Sequence, residues 1–170
     1  MVAQLTLCKL SGRGMHMLVS SFAEIQAEFV ERAHRAVWCN LASIDAAGRP
    51  RSRVVHTIWD GQTGWIVTRA NAPKLRDLAR DAHVSLAYVS DLLRPLYVEC
   101  RAEWLADTET KRRVWALFQS APPPLGFDPV SMFGPADDPG FGVVKFEPYQ
   151  ISLENVSGSG ERRRVWRAPA

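Results

Sequence analysis

Cysteine, histidine, long apolar runs and charge of one sign are all scarce in this chain, and each scarcity excludes a class of protein. Three cysteines, Cys8, Cys39 and Cys100, form neither an even set nor a metal-type spacing. Neither a disulfide framework nor a zinc site is therefore expected, and a reducing, cytoplasmic setting is the natural one. Four histidines, His16, His34, His56 and His83, stand singly with no carboxylate or cysteine at ligand spacing, so no metal is expected. The apolar runs stop at strand length, and the opening "MVAQLTLCKLSGRGMHMLVS" lacks a signal-peptide core and cleavage pattern. Neither a membrane span nor an export signal is read there. The formal net charge is only +3, and much of it comes from the tail "GERRRVWRAPA". The remainder is close to neutral, which argues against a general nucleic-acid binder. No Ser-His-Asp set and no pair of acid-base carboxylates can be argued from spacing.

What is present suits one globular domain: 170 residues, 46% of them hydrophobic, are enough to bury a core. Met15 and Met17 follow an irregular, glycine-containing stretch. Residues 1–18 are accordingly expected to be a disordered extension or a start-site artefact, with a single domain over 19–170. "SSFAEIQAEFVERAHRA" opens on a capping box, Ser21 and Glu24, and repeats Phe22, Ile25 and Phe29 at helical spacing. "AVWCNLASID" alternates as a strand and meets the turn "AAGRP"; "RSRVVHTIW" and, after "DGQTG", "WIVTR" continue as strands. "PKLRDLARD" reads as a short helix, "AHVSLAYVS" and "PLYVECRAEWLA" as strands, and "DTETKRRVWALFQSA" as a helix capped by Asp107. The segment 122–142 holds six prolines and four glycines and reads as a surface loop, after which "VVKFEPYQISLENV" completes the sheet. A mainly β domain with helices between antiparallel strands predicts a closed or nearly closed barrel.

The stretch "GWIVTRANAPKLRDLARD" leads from a strand through a polar turn into a helix starting near Pro73. A helix N-terminus exposes unpaired N–H groups and the positive end of its dipole, so it stabilises a phosphate. Lys74 adds a full charge there, Thr68 a hydroxyl at the end of the strand, and Arg53 a bidentate donor from the neighbouring strand. The same residues also fit a solvated helix face carrying Lys74 and Arg76, with Arg53 paired to an acidic neighbour. His56 follows "RVV" on the Arg53 strand and faces either a ligand or backbone partners. Cys39 and Cys100 read as small core residues, and Trp59, Trp65, Trp104 and Tyr88 as packing or interface walls. "RRRVWR" fits a charged terminal strand, a tail folded over a ligand, or a single-strand nucleic-acid contact.

"GRPRSRVV", "GWIVTRANAPKLRDLARDAHVSLAYVS", "YVECRAEW" and "VVKFEPYQISLE" come in an order that resembles the pyridoxamine 5'-phosphate oxidase-like FMN-binding proteins, over about residues 22–156. The resemblance implies an antiparallel split β-barrel, a homodimer with flavin in the grooves between subunits, and an oxidoreductase acting on a small molecule. It implies that Arg53 and Lys74 bind the FMN phosphate with help from Thr68 and Arg69, and that Val54 and Val55 lie along the flavin ring. The Pro-Lys turn resembles that of the stress-protein branch. Pro95 and Glu154 stand where the oxidase pattern has glutamine and tryptophan, and the tail lacks the Arg-x-His signature, which together imply a reaction other than vitamin B6 oxidation. Arg164 is offset from Glu154 much as a cofactor-binding arginine is in the oxidases. Two alternatives remain open on the same fold: a deazaflavin in place of FMN, with Arg69, Arg76 and the tail arginines along its anionic tail, or a flavin-binding, stress-associated protein without turnover. The proline-rich loop is expected to be a lid or a dimer contact.

Overall fold

The computed structural model describes residues 16–157 and 163–169. In chain order it contains β1 (His16–Leu18), a 3-10 turn (Phe22–Glu24), α1 (Gln26–Ala36), β2 (Trp38–Ile44), β3 (Pro50–His56), β4 (Ile58–Asp60) and β5 (Thr63–Arg69). There follow α2 (Pro73–Arg80), β6 (His83–Tyr88), β7 (Leu96–Leu105), α3 (Thr108–Ser120), α4 (Val130–Phe133), β8 (Phe141–Glu154) and β9 (Arg163–Arg167). Residues 16–18 of the expected extension are thus strand β1, parallel to β9, and 1–15 lie outside the described residues.

Local chemistry sets these boundaries. Glu24 accepts hydrogen bonds from the backbone of Ser20 (3.0 Å) and Ser21 (2.9 Å), closing the expected capping box around the 3-10 turn that feeds α1. Asp107 caps α3 through the Thr110 amide at 2.8 Å. In the β2–β3 hairpin, Asp45 accepts from the amides of Ala47 and Arg49, and Gly48 takes φ 76°, a conformation open to glycine at little cost. "RSRVVHTIW" breaks into β3 and β4 at Thr57. Thr57 is buried, with its hydroxyl 2.7 Å from that of Tyr88.

One sheet holds nine strands in the order β1-β9-β8-β7-β6-β2-β3, with β5 on β8 and β4 on β5. Among the described residues the sheet does not close, so the mainly β reading holds and the fully closed form of the expected closed or nearly closed barrel does not. The reason lies in β8, which is 14 residues long. It pairs with β7 along one edge, while its other edge pairs first with β5 (residues 141–146) and then with β9 (150–154). That edge therefore forks, and β3 and β5 are left without a ladder between them. The tail arginines enter the sheet as β9, and "VVKFEPYQISLENV" starts two residues earlier than its pattern predicts, at Phe141.

Two apolar clusters fill the sheet's curvature. The larger joins Phe29 and Ile25 beside α1 to Leu41, Leu86, Val98, Phe146 and Ile151 of the sheet. The smaller packs α3, through Val114 and Phe118, against Ile58, Trp65 and Val143. Each such buried side chain contributes about 1.5–3 kcal/mol. Within the larger cluster runs a buried polar chain: the Trp59 indole donates to Tyr88 Oη at 2.7 Å, and the Trp59 amide donates to His34 Nε2 at 3.0 Å. Cys39 and Cys100 are buried as expected, and burial pushes the Cys39 thiol up to about 11.

Replacing Tyr88 by Phe leaves the indole N–H of Trp59 without its buried acceptor. A loss of about 1–3 kcal/mol is expected, read as a lower urea midpoint at unchanged slope. Burial also lowers the pKa of His34 and of His56 below the usual histidine value. The unfolded chain then binds more protons than the folded one, so stability is expected to fall as pH drops below about 6.5, and His34→Gln to flatten part of that fall.

Candidate functional site

The unpaired β3 and β5 border a cleft of about 690 Å³. Val54, Val55 and His56 of β3 line one side, and Ile66, Val67 and Thr68 of β5 the other. Lys74 enters from α2, Trp38 from β2, Phe118 from α3, and the segment 124–133 supplies Phe127, Asp128, Ser131, Met132 and Phe133. This size and largely apolar lining with few polar groups suit a small-molecule site.

Helix α2 puts the charge in place. Pro73 occupies its first position, where a missing N–H costs nothing, and no side chain caps its first turn. Lys74 is half-buried and has neither an ion pair nor a hydrogen bond among the described residues. Burial lowers its pKa first, and the charge of Arg53 lowers it further. Thr68 is 5% exposed and also lines the cleft. Lys74 thus shares the lining with a hydroxyl, and Arg53 acts on its charge from outside that lining.

Arg53 does not line the cleft; it donates to Ser43 Oγ at 2.8 Å and pairs with Asp77 at 3.3 Å. The acidic neighbour of the alternative reading thus exists, three residues after Lys74 on α2, while the charge of Arg53 still acts on Lys74. Val54 is 64% exposed, whereas Val55 turns inward at 7%. Arg69 lies outside the cleft lining, where it donates to the Met132 carbonyl at 2.6 Å and lies over Phe133. Its part is to pin the proline-rich segment. Arg164 pairs with Glu28, which also takes Arg32 and Arg94, so within one chain it stands in an ion-pair cluster and not in the cleft.

The proline-rich segment is a wall of the site with its own anchors. Lys111, 3% exposed, donates to the Asp138 carbonyl and lies over Phe141 at 4.3 Å. The amide of Phe127 reaches Phe118 O at 3.1 Å, and Gly126 leaves no room for a side chain, since a Cβ there would stand 1.9 Å from Ala121 O. The sequence signal for this wall was the apolar residues Phe127, Val130, Met132 and Phe133 inside a loop. Asp77 was discoverable from its helical spacing to Lys74. His56 is boxed by the rings of Trp38 (4.8 Å), Phe127 (5.1 Å) and Phe118 (5.4 Å). The expected packing role of Trp59, Trp65 and Tyr88 holds, all three being buried. No group of metal ligands and no helix long and apolar enough to cross a membrane occurs among the described residues.

Solved structures share this architecture at low identity. A general stress protein 26-related protein from Clostridium acetobutylicum, of the pyridoxine phosphate oxidase family, is 15% identical with a TM-score of 0.67, covering 85% of this chain and 94% of its own. A pyridoxamine 5'-phosphate oxidase-related, FMN-binding protein from Nostoc punctiforme is 11% identical with a TM-score of 0.62, covering 89% and 98%. An F420 reductase is 17% identical with a TM-score of 0.56, covering 73% and 95%. No curated protein matches in sequence. The pyridoxamine 5'-phosphate oxidase family model, however, matches residues 25–154, from the residue before α1 to the last residue of β8, and the chain belongs to that family.

Proposed function

We propose that the cleft holds FMN and that the protein is a flavin-dependent oxidoreductase acting on a small molecule. The observation that carries this reading is Lys74: a half-buried ammonium without a counter-ion, beside a second cation, calls for an anion. A phosphate between Lys74, the Thr68 hydroxyl and the uncapped first turn of α2 supplies it, with Arg53 adding field from its seat on Asp77. The FMN-binding and F420-reductase neighbours support a flavin-type cofactor on this fold. When bound, the flavin supplies the electron and hydride chemistry; the chain binds and orients it and excludes water. Val54 and Val55, in the lining, would border the ring.

The same reading gives the protein a second copy. Trp38 and Val54 are 55% and 64% exposed on neighbouring strands beside the cleft, and Val130 and Met132 on the wall are exposed as well. An apolar face of this kind at the cleft mouth suits a homodimer that shields the flavin.

Lys74→Ala is expected to weaken FMN binding about tenfold or more while leaving riboflavin, which lacks the phosphate, nearly unaffected. Equal losses for both ligands would remove the phosphate clamp. A purified protein that takes up a deazaflavin and not FMN, told apart by absorption, would replace the cofactor and keep the site. Trp38→Arg is expected to shift sedimentation from dimer to monomer and to weaken FMN binding along with it; a variant that remains dimeric would place the interface elsewhere.

A further inference from the structure

The cleft lining holds few polar side chains, and they differ in charge. Lys74 is the one cation among its described lining residues and Asp128 the one carboxylate. Lys74 and Thr68 bring donors from α2 and β5. Asp128 Oδ1 takes the Gln119 side chain at 3.2 Å and the Val130 amide at 3.1 Å, and its Oδ2 has no hydrogen bond among the described residues. Ser131 spends its hydroxyl proton on Asp128 O at 3.3 Å. His56 Nε2 is buried without a hydrogen-bond partner among the described residues. A ring nitrogen left unpartnered inside an aromatic box of Trp38, Phe118 and Phe127 is costly until a hydrogen-bonding group meets it.

We infer that the aromatic part of the lining around His56 and Asp128 is the substrate site, and that it selects planar compounds bearing a positive charge or a hydrogen-bonding N–H or O–H group over phosphate esters. The inference rests on the flavin reading, in which the single lysine is taken by the cofactor phosphate. A second phosphate would then find no cation in the cleft and would face Asp128. Flat cations gain twice, from the carboxylate and from the faces of the rings. Phe127 lies on His56, so a ligand reaches Nε2 as that ring gives way.

The test compares three two-ring probes on the FMN-loaded protein by calorimetry: N-methylquinolinium, naphthylamine and naphthyl phosphate. The first two are expected to bind at least about tenfold tighter than the phosphate. Asp128→Lys is expected to cancel the advantage of the quinolinium over the phosphate. His56→Phe keeps the aromatic box and removes the unpartnered nitrogen, so it is expected to weaken naphthylamine about tenfold and to spare the quinolinium, which has no N–H. Naphthyl phosphate binding as tightly as the cation, or a preference unmoved by Asp128→Lys, overturns the inference. Failure of FMN to load sinks the flavin reading separately. The Asp128→Lys effect on quinolinium is then read on the unloaded protein, where a loss supports the cation preference and no loss overturns it.

Discussion

Strand β8 divides one of its edges between two partners, and the rest of the molecule is arranged around that division. Because β5 takes the first part of the edge and β9 the last, the sheet forks there, and β5 faces β3 across a gap in place of a ladder. An open seam between strands is ordinarily a liability, since unpaired edges invite other chains. Here α2, α3 and the proline-rich wall cover it, and what they leave between them is the cleft.

The seam also explains why charge collects where it does. Helix α2 follows β5 directly, so its first turn is delivered to the end of the gap, and Lys74 arrives in a setting too enclosed for ready hydration. Asp77, one turn further on, restrains Arg53 together with Ser43 and keeps the second cation from swinging out to solvent. The geometry is therefore set before any ligand arrives, which reduces the ordering cost of binding.

Most of the fold could be read from the sequence because its signals are local. The capping residues Ser21, Glu24 and Asp107, the turn at Asp45 to Arg49, and the period-two alternation of β2 and β7 act within a few residues. The forking of β8 could not be read, since it depends on which distant strands share an edge. In the site, Lys74 and Thr68 were legible because one strand-turn-helix unit carries both. Arg69 is adjacent to Thr68 in sequence, but strand alternation turns it from Thr68 toward Met132. The wall was hidden by its composition. Prolines and glycines mark 122–142 as loop, and only tertiary contacts through Lys111, Arg69 and Phe118 give it a fixed position.

The ladder between β5 and β8 bears on how the chain acquires its shape. β2 and β3 meet through a tight hairpin, and β5 meets the three-residue β4 in the same way, but its longer ladder waits for β8, beyond two further strands and α3. Pairings of such separation are closed late and slowly, because the chain entropy is lost before the contacts form. The cleft's two sides therefore come together among the last events of folding, and an anion held across them stabilises the finished fold over every earlier intermediate by mass action.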